Sequence, residues 1–214
     1  MKAGPLGTAA SILVCVVAFA QLLLALTDWQ NYLSYQDDPR SYQAEVNVPL
    51  VAVFAVALVA AAVTFISWLR QVRANAEMFC RAPHRHGRGW VIGGWFVPVI
   101  SLWYPKQIVD DVVAASSPRT SPHADRLPEE TSGIVLIWWA TWIGSNLLDL
   151  AAPSTPDNPA AGDLLRMASF SIGSAVLSVV AAVYAVRVVR LVNNLQMSRP
   201  WTAWWETEDT RFSG

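Results

Sequence analysis

Charged residues are scarce in this sequence of 214 residues. Asp, Glu, Lys and Arg make up only 14% of it and 54% of the residues are hydrophobic, whereas a typical soluble domain has roughly 25% charged residues. So few charged residues are too few for the polar surface of a water-soluble protein. The composition therefore favours a protein embedded in a lipid bilayer.

Cysteine is also scarce, and positive charge is not concentrated. Cys15 lies in the first apolar run and Cys80 in a basic loop, so we expect them to be too far apart to bridge, and no disulfide framework is implied. The formal net charge is -1, and the arginines flank apolar runs instead of forming the dense basic surface that a nucleic acid requires. We therefore expect the lipid bilayer, and no nucleic acid, as a partner.

The commonest catalytic motifs are missing from the sequence. It contains no nucleotide-binding glycine loop, no HExxH zinc motif and no GxSxG elbow. This excludes the enzyme classes that depend on those motifs and leaves other chemistry open. We expect no cofactor, and we favour a protein that is not an enzyme.

Long apolar runs are what the sequence does contain. A helix needs about 20 apolar residues to cross the hydrocarbon core, and four runs have that length, at residues 6–26, 48–69, 134–152 and 164–186. The first run holds Ala18-Phe19-Ala20, a pattern typical of signal-peptide cleavage, but it stays apolar through Leu26 and we expect it to be retained as a helix. The sequence predicts an all-α membrane protein whose four transmembrane helices form two hairpins.

A fifth apolar segment, residues 90–104, is too short to cross the membrane and contains Gly93, Gly94 and Pro98. Arginines follow the second and the last long runs, and Lys and Arg are enriched on the cytoplasmic side of membrane helices. Both termini are then cytoplasmic in the plasma membrane. This orientation leaves segment 90–104 either as a re-entrant element that dips into the bilayer or as an interfacial element pinned by its aromatic residues.

The remaining segments are assigned to the cytoplasmic side. Residues 105–116 have the apolar spacing of a short amphipathic surface helix, residues 117–131 form a flexible loop, and residues 201–214 form a tail with an interfacial tryptophan cluster. Residues 1–200 thus make one membrane domain. Because acids near an anionic leaflet are disfavoured, we expect Asp110 or Asp111 to meet an arginine of the loop that precedes residue 90.

A few polar residues interrupt the apolar runs. Gln21, Ser145, Asn146 and Asp149 lie within or near them, and lipid cannot satisfy their hydrogen-bonding groups. We expect these side chains to face the interior of the helix bundle, although Asp149 is close enough to the outer end to be solvated, and we give them a structural role. Asn146 is the strongest of these predictions.

The basic loop also holds the weak candidates for chemistry. Cys80, His84 and His86 could ligate a metal such as zinc, but the neighbouring arginines would repel a divalent cation, and we favour no metal. His84 or His86 could instead act as a general base beside Asp110 or Asp111, since histidine titrates near neutral pH.

Several short motifs in order resemble an uncharacterised bacterial membrane family, domain of unknown function family 4328, common in actinobacteria. The resemblance covers residues 68–196 and depends on Trp68-Leu69, Arg73-x-Asn75-Ala76, His84, Gly89-Trp90, Gly94-Trp95-Phe96-Val97-Pro98, Leu102-Trp103, Pro105-Lys106-Gln107, Asp110 and Trp138-Trp139-x-x-Trp142. Ser101 departs from the asparagine expected there. The resemblance implies a multi-spanning membrane protein and supplies no substrate or catalytic residue.

Three functions remain open at this point. We favour a non-enzymatic protein that organises or regulates membrane or cytoplasmic partners at its cytoplasmic face; the alternatives are a transporter or channel component that uses residues 90–104, and a membrane enzyme that acts on lipid headgroups. For any of them, the expected functional or structural core consists of Arg73, Asn75, Trp90, Gly94, Trp95, Pro98, Lys106, Gln107 and Asp110.

Overall fold

The fold is helical throughout the part of the chain that the computed structural model describes, residues 4–40, 42–43, 45–154 and 159–206, and no strand occurs there. The helices are α1 (Gly4–Asp37), α2 (Val48–Phe79), α3 (Trp90–Gly93), α4 (Tyr104–Ser116), α5 (Gly133–Ala151) and α6 (Ala161–Met197), with a single 3-10 turn at Ile100–Leu102. The predicted all-α architecture is confirmed.

Four of these helices, α1, α2, α5 and α6, are long and apolar enough to cross a membrane. They contain 34, 32, 19 and 37 residues, so α1, α2 and α6 continue well past the apolar runs that predict them. Polar residues such as Arg and Gln propagate a helix as well as apolar ones do. The four predicted spans are therefore confirmed, and the runs underestimate the lengths of three helices.

The chain divides into two compact units, each made from parts of several helices. The first contains residues 1–11, 62–136 and 185–214, and the second contains residues 12–61 and 137–184. In the first unit, the largest buried side chains include Trp68, Leu69, Phe79, Ile108 and Val192. Helix α4 thus belongs to the core of the first unit.

The second unit has close helix packing at its glycines. A Cβ atom at Gly144 would lie 3.1 Å from Leu177 Cδ1, and one at Gly173 would lie 3.2 Å from Leu148 Cδ1. Small residues let helix backbones approach in this way when lipid offers no hydrophobic drive for association. Helices α5 and α6 therefore pack against each other through reciprocal glycine–leucine contacts.

Polar side chains inside the second unit satisfy one another. Gln21 Nε2 donates to Ser174 Oγ at 2.8 Å and to Asp149 Oδ2 at 3.1 Å, and Ser145 Oγ lies 3.1 Å from Ser174 Oγ. The interior position is confirmed for Gln21 and Ser145. It is wrong for Asn146, which is exposed and donates to the carbonyl of Trp142 one turn earlier in its own helix.

Segment 90–104 is a chain of short turns with apolar side chains on its outside. Helix α3 and the 3-10 turn flank an irregular stretch in which Phe96 is 73% exposed, and Val99 is also exposed. Trp95 is turned inward, with its ring 5.9 Å from that of Phe65. The segment therefore presents one apolar side outward and is fixed to α2 by the other.

Helix α4 begins one residue before the predicted segment 105–116 and ends with it, but its position differs from the expectation. Nine of its 13 residues are buried, and they include Asp110 and Asp111. An exposed surface helix was the wrong description, because the two acids point into the protein where cationic side chains meet them. The helix is instead a structural element of the first unit.

The predicted loop at residues 117–131 and the predicted tail at residues 201–214 also have defined contacts. In segment 117–131, Thr120 is buried and the carbonyl of Pro122 accepts a hydrogen bond from the backbone of Arg81 at 2.9 Å. In the tail, Trp201 packs edge-on against Phe79 with ring centroids 5.2 Å apart. Residues 207–214 of the predicted tail lie outside the described residues.

Candidate functional site

Asp111 and Arg85 join α4 to the loop at residues 80–89. Asp111 Oδ2 accepts the backbone N–H of Arg85 at 2.8 Å, and Asp111 Oδ1 accepts the Arg85 Nε–H at 2.7 Å. The Asp111 side chain is only 3% exposed, and that of Arg85 is 42% exposed. The predicted contact between an acid of α4 and an arginine of the preceding loop is therefore confirmed, and the buried carboxylate is fully compensated.

Arg73 and Glu77 tie the end of the same loop to α2. Arg73 Nε donates to Glu77 Oε1 at 2.9 Å, and Arg73 Nη2 donates to the carbonyl of His86 at 2.8 Å. Arg88 reaches the second oxygen of the same acid, with Nη2 2.6 Å from Glu77 Oε2. Glu77 thus accepts from two arginines at once, one buried and one exposed.

A second acid of α4 has its own cation. Lys106 Nζ lies 2.7 Å from Asp110 Oδ2, one turn away on α4, and 3.1 Å from Thr131 Oγ1. The other carboxylate oxygen, Asp110 Oδ1, is buried and has no hydrogen-bond partner among the described residues. Burial raises the pKa of Asp110, and the bond from Lys106 opposes that rise.

The two histidines of the loop have different environments. His86 Nε2 lies 2.7 Å from Gln107 Oε1, and its ring stacks on Tyr104 with centroids 3.8 Å apart. His84 Nε2 is buried, and no residue that the structure describes forms a hydrogen bond with it. Neither imidazole forms a hydrogen bond with a carboxylate in the described part of the chain, so the pairing that a general base would use with Asp110 or Asp111 does not form here.

His84 is held in its neutral form. Burial, reinforced by the positive charge of Arg73, lowers the pKa of His84 from its ordinary value of 6.5 to about 4, although Asp111 and Glu77 oppose the shift. The imidazole is therefore uncharged at neutral pH. Its role in the cluster is that of a buried polar side chain and not of a cation.

This shift predicts acid sensitivity. The unfolded chain protonates His84 near the ordinary pKa of 6.5, whereas the folded chain protonates it only near pH 4. The stability that neutral His84 contributes above pH 6.5 is therefore lost as the pH falls from 6.5 through 4. Between pH 6.5 and 5.5 the loss is about 1 kcal/mol. The measurement is thermal unfolding across this range, compared between the natural chain and His84→Asn. Parallel pH profiles for the two proteins would contradict the assignment to His84.

The metal hypothesis receives no geometric support. Cys80 is a buried free thiol whose Sγ lies 3.5 Å from the carbonyl oxygen of Ser121, and it is thus turned toward the segment after α4. Within the described residues, no three His, Cys, Asp or Glu side chains form a group that could hold a metal ion. His84 and His86 are accordingly explained by their protein contacts.

Asn75, another member of the expected core, takes part in a second polar contact. Asn75 Nδ2 donates to Gln196 Oε1 at 2.9 Å, and Gln196 Nε2 donates to the carbonyl of Val72 at 2.8 Å and to Ser116 Oγ at 3.1 Å. All of these groups are buried. One amide side chain, Gln196, therefore connects α2, α4 and α6.

The structure thus brings four of the nine expected core residues into one cluster, namely Arg73, Lys106, Gln107 and Asp110. Arg73, His84, His86, Gln107 and Asp111 belong to one charged cluster, which we define as these residues with Glu77, Arg85, Arg88, Lys106, Asp110 and Thr131. Trp90 packs edge-on against Tyr104 at 5.1 Å beside it, and Pro98 is exposed and apart from it.

Two residues of this region, Glu77 and Gln196, carry contacts that the sequence reasoning did not assign. Glu77 follows Arg73 by one helical turn, a spacing typical of a helix ion pair, and it could have been found from that signal. Gln196 has no such local signal, because its partners lie 80 residues or more away along the chain.

Comparisons with known proteins identify the family and no activity. No curated protein and no solved structure matches the chain. One family model does match, and it covers residues 33–194, which include the whole charged cluster. The chain therefore belongs to the family described as domain of unknown function (DUF4328).

Proposed function

We propose that this protein is a non-enzymatic organiser or regulator of partner proteins, and that it binds an acidic region of a membrane or cytoplasmic partner through the loop at residues 80–89. One observation carries the proposal. The acids of the charged cluster face inward, with the Asp111 side chain 3% exposed, whereas the Arg88 side chain is 80% exposed. The outward side of the loop is therefore cationic.

The contacts beneath the loop give it a fixed shape. The loop has no acidic residue of its own, and its backbone is held by Asp111 at one point and by Arg73 at another. A preorganised surface loses less conformational entropy when a partner binds. The cluster thus supports a binding surface better than it supports a reactive centre, whose groups would have to be free to exchange protons.

The distribution of charge supports a cytoplasmic position for this loop. All of the Lys and Arg residues except Arg40 and Arg166 belong to the first unit, so the first unit is net positive and the second is net negative. Under the positive-inside rule, both termini and the loop then face the cytoplasm of a plasma membrane. The outward apolar side chains of Phe96 and Val99 favour an interfacial place for segment 90–104, at the level of the lipid headgroups.

The two alternatives have weaker support. A transporter that uses segment 90–104 would need a path lined by it, and the cavity of about 530 Å³ in the second unit is lined by residues 27–45 instead. A headgroup enzyme would need a general base, and His86 is engaged by Gln107. No contact or cavity within the described residues specifically favours either alternative.

Photocrosslinking at glycines that tolerate a side chain tests the proposal. A Cβ atom at Gly87 meets no atom within 4 Å, and the same is true of Gly162 at the start of α6. A photoreactive residue placed at Gly87 in the full chain, in cells, is expected to give a discrete protein adduct. The same residue at Gly162 is the matched control and is expected to give none.

The charge of the loop provides the second arm of this experiment. Arg81→Ala combined with Arg88→Ala removes two exposed cations, and we expect the adduct at position 87 to fall by about tenfold, because rim charges steer association. An adduct that persists at full yield without these arginines would refute the proposed acidic partner. Lipid adducts alone at position 87 would assign the surface to the bilayer.

A further inference from the structure

A cavity of about 310 Å³ lies in the first unit, beside the end of α2, and none of its lining residues belongs to the charged cluster. Its wall comes from three stretches that the sequence does not bring close: the end of α2, the segment after α4, and the chain beyond α6. The lining residues that bear on its chemistry are Arg119, Thr120, Ser121, Ser198, Arg199 and Thr202. No acidic residue is among the described residues that line it.

Arg199 is the unusual residue of this wall, because it is a buried cation with no carboxylate partner among the residues that the structure describes. It is only 8% exposed. Its Nη1 donates to the carbonyl of Phe79 at 2.9 Å, and its Nη2 donates to the carbonyls of Ser117 and Thr120. No ion pair within the described part of the chain includes Arg199.

Those three bonds hold the guanidinium in place without neutralising it. A guanidinium has five N–H donors, so the Nε–H and one Nη1–H remain for another acceptor. Burial lowers the pKa of Arg199, and the neighbouring Cys80 opposes that effect. A buried charge is costly unless a counter-charge accompanies it.

The surroundings add positive charge and hydroxyl groups. Arg119 lines the cavity and is exposed at its edge, and the Arg81 guanidinium lies 5.9 Å from the centroid of the Trp204 ring, another part of the wall. Four hydroxyl side chains complete the polar lining. Two lining arginines and four hydroxyl side chains, with no acid among the described lining residues, are complementary to a multiply charged oxyanion.

We propose that this cavity binds a phosphate group, carried either by an anionic lipid headgroup or by a free phosphate compound. Phosphate accepts several hydrogen bonds at once and matches the fork of a guanidinium. The volume is near the lower end of the range of small-molecule sites, which suits a phosphate bearing a few more atoms. This proposal does not depend on the partner surface proposed for residues 80–89.

The test uses the full chain in nonionic detergent and follows its thermal unfolding. One arm adds inorganic phosphate or glycerol 3-phosphate, with sulfate-free chloride buffer of equal ionic strength as the blank. The other arm adds short-chain phosphatidylglycerol, with a short-chain diacylglycerol as the phosphate-free blank. Saturable stabilisation in the first arm identifies a free compound as a source, and saturation confined to the second identifies a lipid headgroup.

Substitutions at the rim locate the site without removing the buried guanidinium. Arg119→Ala and Thr202→Val change exposed lining residues, and each is expected to weaken phosphate binding by about fivefold while the ligand-free unfolding temperature stays unchanged. Arg126→Ala removes an exposed arginine that does not line the cavity and serves as the control. Arg199→Lys keeps the charge, loses the fork, and is expected to weaken binding further.

Three outcomes overturn the proposal. The first is no saturable stabilisation in either arm, and the second is an effect of Arg119→Ala no larger than that of Arg126→Ala. The third concerns the acids Glu208 and Asp209, which lie outside the described residues and could supply the missing counter-charge. If E208Q/D209N lowers the unfolding temperature and phosphate does not stabilise the natural chain, the tail and not a ligand neutralises Arg199.

Discussion

Replacing Asp111 with alanine is expected to destabilise the protein by about 3 kcal/mol, which lowers its unfolding temperature by on the order of 10 °C. Asp111 is buried and accepts both the backbone N–H and the side chain of Arg85. Its removal leaves that backbone N–H without its acceptor and takes away one of the contacts that tie the loop to α4, while the contact of His86 with Gln107 remains. The half-exposed guanidinium can turn to water, which keeps the loss at the lower end of the range for a broken buried pair.

The matched control for Asp111→Ala is Arg88→Ala in the same cluster. Arg88 also forms an ion pair at short distance, but its side chain is 80% exposed and its partner Glu77 keeps Arg73. Exposed pairs contribute about 0 to 1 kcal/mol. Two results would show that burial does not set the strength of these contacts. One is an Asp111→Ala protein that unfolds within about 2 °C of the natural chain. The other is an Arg88→Ala protein whose unfolding temperature falls as far as that of Asp111→Ala.

A double-mutant cycle separates the pair from its surroundings. Arg85→Ala alone leaves the Asp111 carboxylate buried and bonded to the backbone N–H of residue 85, so we expect it to cost about 3 kcal/mol as well. The double variant Arg85→Ala/Asp111→Ala should cost clearly less than the sum of the single losses, because each single change already removes the pair. Additive losses would mean that the two side chains act independently. The cycle is measured by thermal unfolding in one detergent.

The membrane helices were predictable because hydrophobic length is a local property. Each span needs only its own residues to be recognised, and all four are present. Their ends were less predictable, since α6 continues past the apolar residues to Met197, held there by contacts such as that of Gln196 with Asn75. The length of an apolar run therefore predicts the hydrophobic part of a helix, but it does not predict how far tertiary contacts extend that helix.

The charged cluster was predictable only in part, for the same reason. Opposite charges in neighbouring segments predict a contact, and Asp111 does meet Arg85. The direction in which a helix face points depends on all the elements around it, and the sequence did not show that α4 would be largely buried. The interior position expected of Asn146 was wrong for the same reason, because no local pattern records which side of a helix its neighbours occupy.

The position of Gly7 shows how closely α1 must approach its neighbours. A Cβ atom there would lie 2.8 Å from Asn193 Nδ2, 2.9 Å from Val189 Cγ1 and 3.1 Å from Trp68 Nε1. These atoms cannot easily give way, since Trp68 is fully buried and its Nε1 donates to Asn193 Oδ1 at 3.1 Å. The absence of a side chain at Gly7 is therefore what permits the Trp68–Asn193 hydrogen bond beside it.

Gly7→Ala is accordingly expected to cost about 2 kcal/mol, in the range of an overpacked core, and to lower the unfolding temperature by roughly 4–8 °C. Gly4→Ala on the same helix is the matched control, because its Cβ meets nothing within 4 Å and alanine favours a helix over glycine. The indole fluorescence should change with Gly7→Ala and not with Gly4→Ala. Equal unfolding temperatures for the two variants would mean that α1 can move away from Trp68 at no cost, and the close contact would then carry no stability.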